Sequence, residues 1–295
     1  MTARESQRAA VPMHWRINDL ALAGLSWGHS GEKPLLALHG WLDNAASFAF
    51  LAPLLTGYHV VALDLTGHGQ SARRSADASY QIWDDLPEIL GVLDALGWDT
   101  FDLMGHSRGA IISTLLASAF PERVRHLLLL DAVVPGAVAA EDFPEQMRAS
   151  LQDKKRLLSH SNRVFPSVSD AVTSRTERGL SLPAARVLVE RNLRDCPGGV
   201  MWTTDPRLRG ASAVKLSDAH IRAVLGRLDM PTLLLLAADA GARVDDLLDY
   251  VRPYIVQLTT DTIEGGHHFH MEANVVKVAQ IVKNFLSSAN ESDLT

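Results

Sequence analysis

A serine between two glycines is the first group in the sequence with the residue types that covalent chemistry needs. The stretch 105–109 reads Gly-His-Ser-Arg-Gly. The apolar stretch Phe101–Met104 before it predicts a buried strand, and the small and apolar residues 110–113 after it predict the start of a helix. A sharp turn between a strand and a helix holds such a serine in a strained conformation, with its hydroxyl exposed for attack. The sequence therefore predicts Ser107 as a nucleophile.

The same spacing also occurs around Ser26, where residues 24–28 read Gly-Leu-Ser-Trp-Gly. The next six residues, His-Ser-Gly-Glu-Lys-Pro, contain a glycine and a proline and cannot begin a helix. Because the strand-turn-helix context is missing, we expect Ser26 to have no nucleophilic role.

A serine hydroxyl is a poor nucleophile near neutral pH, so a base must remove its proton as the new bond forms. His267 is the predicted base, because it follows the flexible pair Gly265 and Gly266 between the last predicted strand and the last predicted helix. His268 and His270 are the alternatives, and we expect His268 to contact the substrate. The three histidines have no carboxylate-rich partner segment with ligand spacing, so the sequence predicts no metal.

A carboxylate must orient the imidazole and stabilise its protonated form. Asp239, just past the predicted strand Pro231–Leu236, is preferred, and Asp131, at the end of the strand Val124–Leu130, is the alternative. Backbone N–H groups must stabilise the negative oxygen of the tetrahedral intermediate. The N–H groups of Arg108, which follows the nucleophile, and of Trp41, which follows His39-Gly40, are predicted for this oxyanion hole.

The elements that must position these residues alternate between strand-like and helix-like stretches, which predicts a mostly parallel sheet with helices on both faces. Asn18-Asp19 is a good turn pair between the first two strands. The remaining predictions are strands at 13–17, 20–27, 34–38, 58–63, 101–104, 124–130, 231–236 and 254–258, and helices at 44–55, 82–96, 107–119, 244–251 and 272–286.

The alternation stops between residues 134 and 226, where amphipathic helical stretches and Pro and Gly breaks replace it, with no convincing strand. We interpret 134–226 as a helical cap inserted after strand 6 of a core domain that comprises 1–133 and 227–295. The cap is expected to cover the substrate, with an apolar lining drawn from Phe143, Met147, Phe165 and Trp202.

Composition excludes several classes of protein. Apolar residues make up 47% of the chain and charged residues 21%, which predicts a folded chain. The net charge of −6 and the absence of a block of Lys and Arg argue against nucleic acid as a partner. The single cysteine, Cys196, cannot form an internal disulfide. The stretch Met1–Pro12 lacks the apolar run of a secretory signal, and the longest apolar runs are too short to span a membrane, so we expect a cytoplasmic protein without a membrane partner.

Two further stretches accompany residues 105–109 and the pair Gly266-His267. Residues 38–44 read Leu-His-Gly-Trp-Leu-Asp-Asn, and residues 64–71 read Asp-Leu-Thr-Gly-His-Gly-Gln-Ser. Together these motifs resemble those of the α/β-hydrolase superfamily, in particular its serine hydrolase-like, esterase- and lipase-type members, from about residue 35 to 286. The resemblance implies an α/β fold with a mostly parallel, eight-stranded sheet. Ala240 departs from the pattern, since an aspartate often stands there.

The resemblance also implies a reaction. It favours hydrolysis of a small-molecule carboxylic ester through an acyl-enzyme intermediate, with no cofactor. The serine at position 107 argues against the dehalogenase and epoxide hydrolase branches, which use an aspartate there. Two alternatives stay open: hydrolysis of a lactone or a carbon–carbon bond by the same residues, and a hydrolase-like ligand-binding or signalling protein with negligible turnover.

Overall fold

The computed structural model describes residues 9–292. Positions 1–8 and 293–295, at the two ends of the predicted core domain, lie outside the described residues. The strands, numbered in chain order, are β1 (Val11–Ile17), β2 (Leu20–Trp27), β3 (Lys33–Leu38), β4 (Tyr58–Leu63), β5 (Phe101–His106), β6 (Val124–Leu130), β7 (Val164–Phe165), β8 (Leu193–Cys196), β9 (Gly199–Trp202), β10 (Thr232–Ala237) and β11 (Leu258–Ile263).

The α-helices of the described residues connect these strands or lie between β6 and β10. They are α1 (Leu86–Leu96), α2 (Arg108–Ala119), α3 (Phe143–Leu158), α4 (Val168–Thr176), α5 (Leu182–Glu190), α6 (Asp218–Leu225), α7 (Ala242–Val251) and α8 (Val275–Ser292). None of the helices within residues 9–292 combines the length and the apolar character that crossing a bilayer requires.

Eight strands form the central sheet in the order β1-β2-β4-β3-β5-β6-β10-β11, which confirms the predicted α/β fold. The sheet opens with an antiparallel hairpin, whose turn residues Asn18 and Asp19 have φ angles of 47° and 65°. In the order of this sheet, every strand from β4 to β10 is parallel to the strand that follows it. The predicted leucine-rich strand β6 is buried on both faces, because its successive leucines point alternately into two different core clusters.

Two predicted elements of the core are wrong. Residues 44–55 form two short 3-10 helices, Ala45–Phe48 and Ala52–Leu54, in place of one long helix, and Pro53 lies in the second of them. The last strand is β11 and not 254–258: Ile255 packs in the core after α7, while β11 is an edge strand rich in threonine and half exposed. The apolar stretch 254–258 resembled a strand more than β11 did, because an edge strand carries few buried side chains and so has little apolar pattern.

The segment between β6 and β10 contains α3 to α6, as the helical pattern predicts, but it also contains a small antiparallel sheet in the order β7-β9-β8. The expectation of no strand there was wrong. These strands are two to four residues long, too short for a repeating pattern of apolar residues to reveal them. We refer to residues 134–226 as the cap segment.

A buried ion pair joins the cap segment to the central sheet. Asp64, at the end of β4, is fully buried, and both of its carboxylate oxygens accept a hydrogen bond from Arg191 Nε at 3.0 Å. Arg191 follows α5 and also donates to the carbonyl of Gly24. The N–H groups of Ala45 and Gln70 complete the hydrogen bonds of Asp64. The loop 64–71 is therefore a structural connection between the two parts of the chain.

The substitution Arg191→Met is expected to destabilise the protein by about 3 to 5 kcal/mol, because it leaves the buried Asp64 carboxylate without its counter-charge. The measurement is the free energy of unfolding in urea. Arg194→Met is the matched control, since Arg194 lies on β8 and its side chain is exposed. Equal unfolding midpoints for the two variants would contradict the role given to the ion pair.

Candidate active site

Ser107 lies at the turn between β5 and α2, as predicted, with φ 52° and ψ −118°. A side chain rarely adopts this conformation, and such strain persists only where the surrounding structure enforces it. The Ser107 N–H donates to the carbonyl of Leu130 at 2.9 Å, which fixes the turn against β6. Ser26, in contrast, lies inside β2, where its hydroxyl is hydrogen-bonded to His59.

The glycines on either side of Ser107 are required by close packing. A Cβ atom at Gly105 would collide with the backbone of Gly109, and a Cβ atom at Gly109 would collide with the carbonyl of Leu38. The helix α2 therefore starts almost in contact with the ends of β3 and β5, and the turn that carries Ser107 has no room to relax. The Ser107 hydroxyl makes no hydrogen bond with any of residues 9–292, so it is available to a reaction partner.

His267 is hydrogen-bonded to Asp131. The distance from His267 Nδ1 to Asp131 Oδ2 is 2.5 Å, and the other carboxylate oxygen of Asp131 accepts the N–H of Ala237 at 2.7 Å. Asp131 has a positive φ of 59° and follows β6 directly. Because Nδ1 is engaged by the carboxylate, Nε2 is the nitrogen left to exchange a proton with a serine.

The preference for Asp239 as the partner of the imidazole is corrected by this geometry. Asp239 lies in a short 3-10 helix, two residues past the end of β10, and shares an open pocket of about 450 Å³ with Asp131 and His267. Within residues 9–292, however, its carboxylate makes no hydrogen bond. The backbone N–H of Ala237, at the end of β10, instead holds the carboxylate of the neighbouring strand β6 in front of His267.

The two predicted oxyanion donors lie on neighbouring segments. Arg108 is the first residue of α2, where a backbone N–H has no partner within the helix. Trp41 follows Gly40, whose missing Cβ atom would lie 2.9 Å from His106 Nδ1. The loop of Trp41 thus packs closely against the residue before Ser107. The indole N–H of Trp41 donates to the carbonyl of Leu208 in the cap segment at 2.8 Å.

His39 supports this loop, a role that the sequence did not reveal. It is fully buried; its Nδ1 is 2.7 Å from the carbonyl of Gly40, and its Nε2 accepts the N–H of Leu65 at 3.0 Å. A carbonyl only accepts and an N–H only donates, so His39 is neutral, with its proton on Nδ1. Burial lowers the pKa of His39, in agreement with this state. The sequence shows only a histidine at the end of a predicted strand, and such histidines are too common to indicate a role.

The two alternative bases are committed elsewhere. His268 Nε2 donates to Asp43 at 3.1 Å, and Asp43 also forms an ion pair with Arg175 of the cap segment. Burial raises the pKa of Asp43, but the hydrogen bond and charge of His268, together with the charge of Arg175, outweigh this, and the net pKa is lowered. His270 is fully buried, and its Nε2 atom lies 2.8 Å from the Ser47 hydroxyl. His267 therefore remains the predicted base.

Donor atoms of three of these residues, Asp43, His106 and His268, lie within 4.8 Å of one another and are chemically able to hold a metal ion. The guanidinium of Arg175 is 2.5 Å from the other oxygen of Asp43. A cation at this cluster would therefore be repelled by a neighbouring positive charge.

The predicted cap residues divide into two pairs. Phe165 and Trp202 pack edge to face, with ring centroids 5.2 Å apart, and line a cavity of about 270 Å³. Phe143 and Met147 lie on α3 and do not line this cavity; Phe143 is exposed and Met147 half-buried. Cys196 is a free cysteine at the end of β8.

The sequence model of the alpha/beta hydrolase fold family matches residues 33–273 of this chain. This chain belongs to the alpha/beta hydrolase fold family, as the sequence motifs indicated. It is 41% identical to the serine hydrolase-like protein of Mus musculus over 290 residues, which cover 88% of this chain and 90% of the relative. It is 28% identical to the serine hydrolase-like protein of Danio rerio, over 97% of this chain and 91% of the relative.

Solved structures agree with this assignment. A hypothetical protein from Pseudomonas aeruginosa PAO1 has 37% sequence identity and a TM-score of 0.85, with 94% of this chain and 98% of the other covered. A thioesterase domain from the curacin biosynthetic pathway has 25% identity and a TM-score of 0.80, with 93% and 99% covered. The family and these relatives support a hydrolase function.

Low pH is expected to destabilise the protein through His270, because burial lowers its pKa to about 3. The unfolded chain, with an ordinary histidine pKa of about 6.5, binds this proton more readily, so stability is full above that value and falls by about 1.4 kcal/mol per pH unit below it for this group. Urea unfolding from pH 7 to pH 5 measures the slope. It should be shallower in His270→Gln and unchanged in His14→Gln, which alters an exposed histidine. Parallel slopes would refute the expectation.

The two carboxylates near His267 are separable by matched substitutions. Asp131→Asn should slow the labelling of Ser107 by a fluorophosphonate about 10³-fold or more, because the amide favours the wrong imidazole tautomer. Asp239→Asn removes the same charge from the same pocket and should change the labelling rate by less than about threefold. If Asp239→Asn is the slower variant, the assignment of Asp131 as the partner of His267 is wrong.

Proposed function

We propose that this protein is a serine hydrolase that cleaves a carboxylic ester through Ser107, His267 and Asp131. The observation that carries the proposal is the short contact between His267 and Asp131. The carbonyl of His267 also accepts a hydrogen bond from His106, the residue before the serine that is held in a strained turn. A carboxylate on Nδ1 and a free Nε2 are what a serine nucleophile needs from its base. The names of the relatives support the same reaction class.

The proposed reaction has two halves. His267 Nε2 takes the proton of the Ser107 hydroxyl as the oxygen bonds to the ester carbon, and Asp131 stabilises the imidazolium. The negative carbonyl oxygen is stabilised by the N–H groups of Trp41 and Arg108, at about 3 to 4 kcal/mol per donor. When the carbon–oxygen bond breaks, His267 returns the proton to the departing alcohol, which leaves an acyl group on Ser107.

In the second half, His267 takes a proton from water as the water oxygen attacks the acyl carbon. The tetrahedral intermediate uses the same donors, and collapse of the intermediate returns the proton to Ser107 and releases the carboxylic acid. Both halves balance without a cofactor. In this proposal the cap segment covers the substrate. The reaction is proposed to take place in the cytoplasm.

The test combines labelling with turnover. The wild-type protein should react with a fluorophosphonate and hydrolyse 4-nitrophenyl esters, whereas Ser107→Ala should do neither, with a fall in kcat of at least about 10⁴-fold. Ser26→Ala is the matched control, because Ser26 has the same sequence spacing but lies inside a strand. Equal labelling of wild type and Ser107→Ala would refute the nucleophile.

A panel of cyclic lactones and diketones, assayed beside the simple esters, separates the ester reaction from its alternatives. A kcat/KM at least tenfold higher for a lactone or a diketone would replace the ester in this proposal while keeping its residues. A wild-type protein that binds the probe but turns over none of the three classes would instead favour the ligand-binding reading.

A further inference from the structure

The cavity of about 270 Å³ lies inside the cap segment and is bordered on one side by Leu42, from the loop that carries Trp41. Its walls contain four arginines and no carboxylate. The arginines come from separate elements: Arg163 precedes β7, Arg175 lies on α4, Arg178 follows α4, and Arg209 ends the 3-10 helix Pro206–Arg209. Folding thus brings arginines that are distant in sequence together around one cavity.

Most of this positive charge is not neutralised by the protein. Arg175 forms an ion pair with Asp43, but Arg163, Arg178 and Arg209 form no ion pair with the part of the chain that the structure describes. Arg178 and Arg209 are both exposed residues, and partial burial together with the charge of Arg178 lowers the pKa of Arg209, as expected from repulsion between two nearby positive charges. A bound anion would relieve the repulsion and gain several charge-assisted hydrogen bonds.

The rest of the cavity is suited to a small organic anion. Phe165 and Trp202 form an aromatic wall, and the guanidinium of Arg163 lies 4.7 Å from the centre of the Phe165 ring. Ser174 and Asn192 add polar side chains to the same lining. An apolar chain that ends in a charged group would find contacts for both of its parts here.

One pair of sequence neighbours and two sets of contacts connect this cavity to the candidate catalytic residues. Leu42 directly follows Trp41, whose N–H is the proposed oxyanion donor. The side chain of Trp41 donates to the carbonyl of Leu208, the residue before Arg209. Arg175 is ion-paired with Asp43, which accepts a hydrogen bond from His268, the neighbour of His267. The cavity therefore adjoins the reaction site through the oxyanion loop.

We infer that this arginine-lined cavity binds an anionic group, a carboxylate or a phosphate, and that the substrate of the proposed hydrolase carries such a group at a distance from its scissile ester. The substrate part of the inference rests on the proposed function. The binding part does not, because it depends only on the arginines of the cap segment.

The test measures binding separately from turnover. Adipate and inorganic phosphate are titrated in separate calorimetric experiments into the full-length Ser107→Ala protein, so that the two anion chemistries are distinguished. We expect at least one to bind, more weakly as salt is added. Arg178→Gln and Arg209→Gln should each weaken binding about tenfold, the factor that corresponds to one charge-assisted hydrogen bond. Arg194→Gln, which removes an exposed charge of the cap segment outside the cavity, should leave it unchanged.

The substrate part is tested on the wild-type protein with two esters of equal length. These are the mono-4-nitrophenyl ester of adipic acid and its methyl-capped neutral analogue. We expect the anionic ester to have the higher kcat/KM, by about tenfold, and the ratio to fall in Arg178→Gln but not in Arg194→Gln.

The outcomes separate the two proposals. If neither anion binds, or if Arg178→Gln and Arg209→Gln bind as tightly as the control, the anion site is refuted even where esters are hydrolysed. If both esters are cleaved at equal rates, the substrate part is refuted. If an anion binds through Arg178 and Arg209 but no ester is cleaved and Ser107 is not labelled, the hydrolase proposal fails and the anion site stands.

Discussion

The proposed catalytic arrangement depends on one steric constraint, the near contact of α2 with the ends of β3 and β5. Only glycine fits at 105 and 109, because added Cβ atoms would collide with backbone. The turn between them must therefore carry Ser107 at φ 52°. The same constraint places the first N–H of α2 next to Ser107 and brings Gly40 into close contact with His106. Packing thus positions the proposed nucleophile and the proposed oxyanion donors.

A second constraint acts across the tips of the strands. Asp131 follows β6 directly, and its carboxylate is held on one side by the backbone of β10 and on the other by His267. Because β6 and β10 are parallel neighbours, their carboxyl ends lie at the same edge of the sheet. The loop that carries His267 is further fixed by its carbonyl, which accepts a hydrogen bond from His106 at 2.8 Å. Both the backbone carbonyl and the Nδ1 atom of His267 are therefore fixed.

The cap segment is joined to the core by paired charges. Two buried carboxylates of the core, Asp43 and Asp64, each take an arginine of the cap segment, Arg175 and Arg191. Three further arginines of the cap segment, Arg163, Arg178 and Arg209, line the cavity without an ion-pair partner among the described residues. A chain with a net charge of −6 thereby presents a local excess of positive charge around one cavity. Overall charge therefore says little about the ligand of one cavity.

The sequence by itself determined the eight-stranded fold, the turn at Ser107 and the loop of His267. Glycine spacing and apolar runs are formed by residues that are close in sequence, so they are visible without the tertiary structure. It did not determine the short strands of the cap segment or the position of β11, which carry too little apolar pattern. Nor did it separate Asp131 from Asp239, since both follow strands that end at the same edge. Only the tertiary structure decided between them, because a backbone N–H from β10 directs the Asp131 carboxylate toward His267. The arginines around the cavity likewise come together only through folding, from positions 163, 175, 178 and 209.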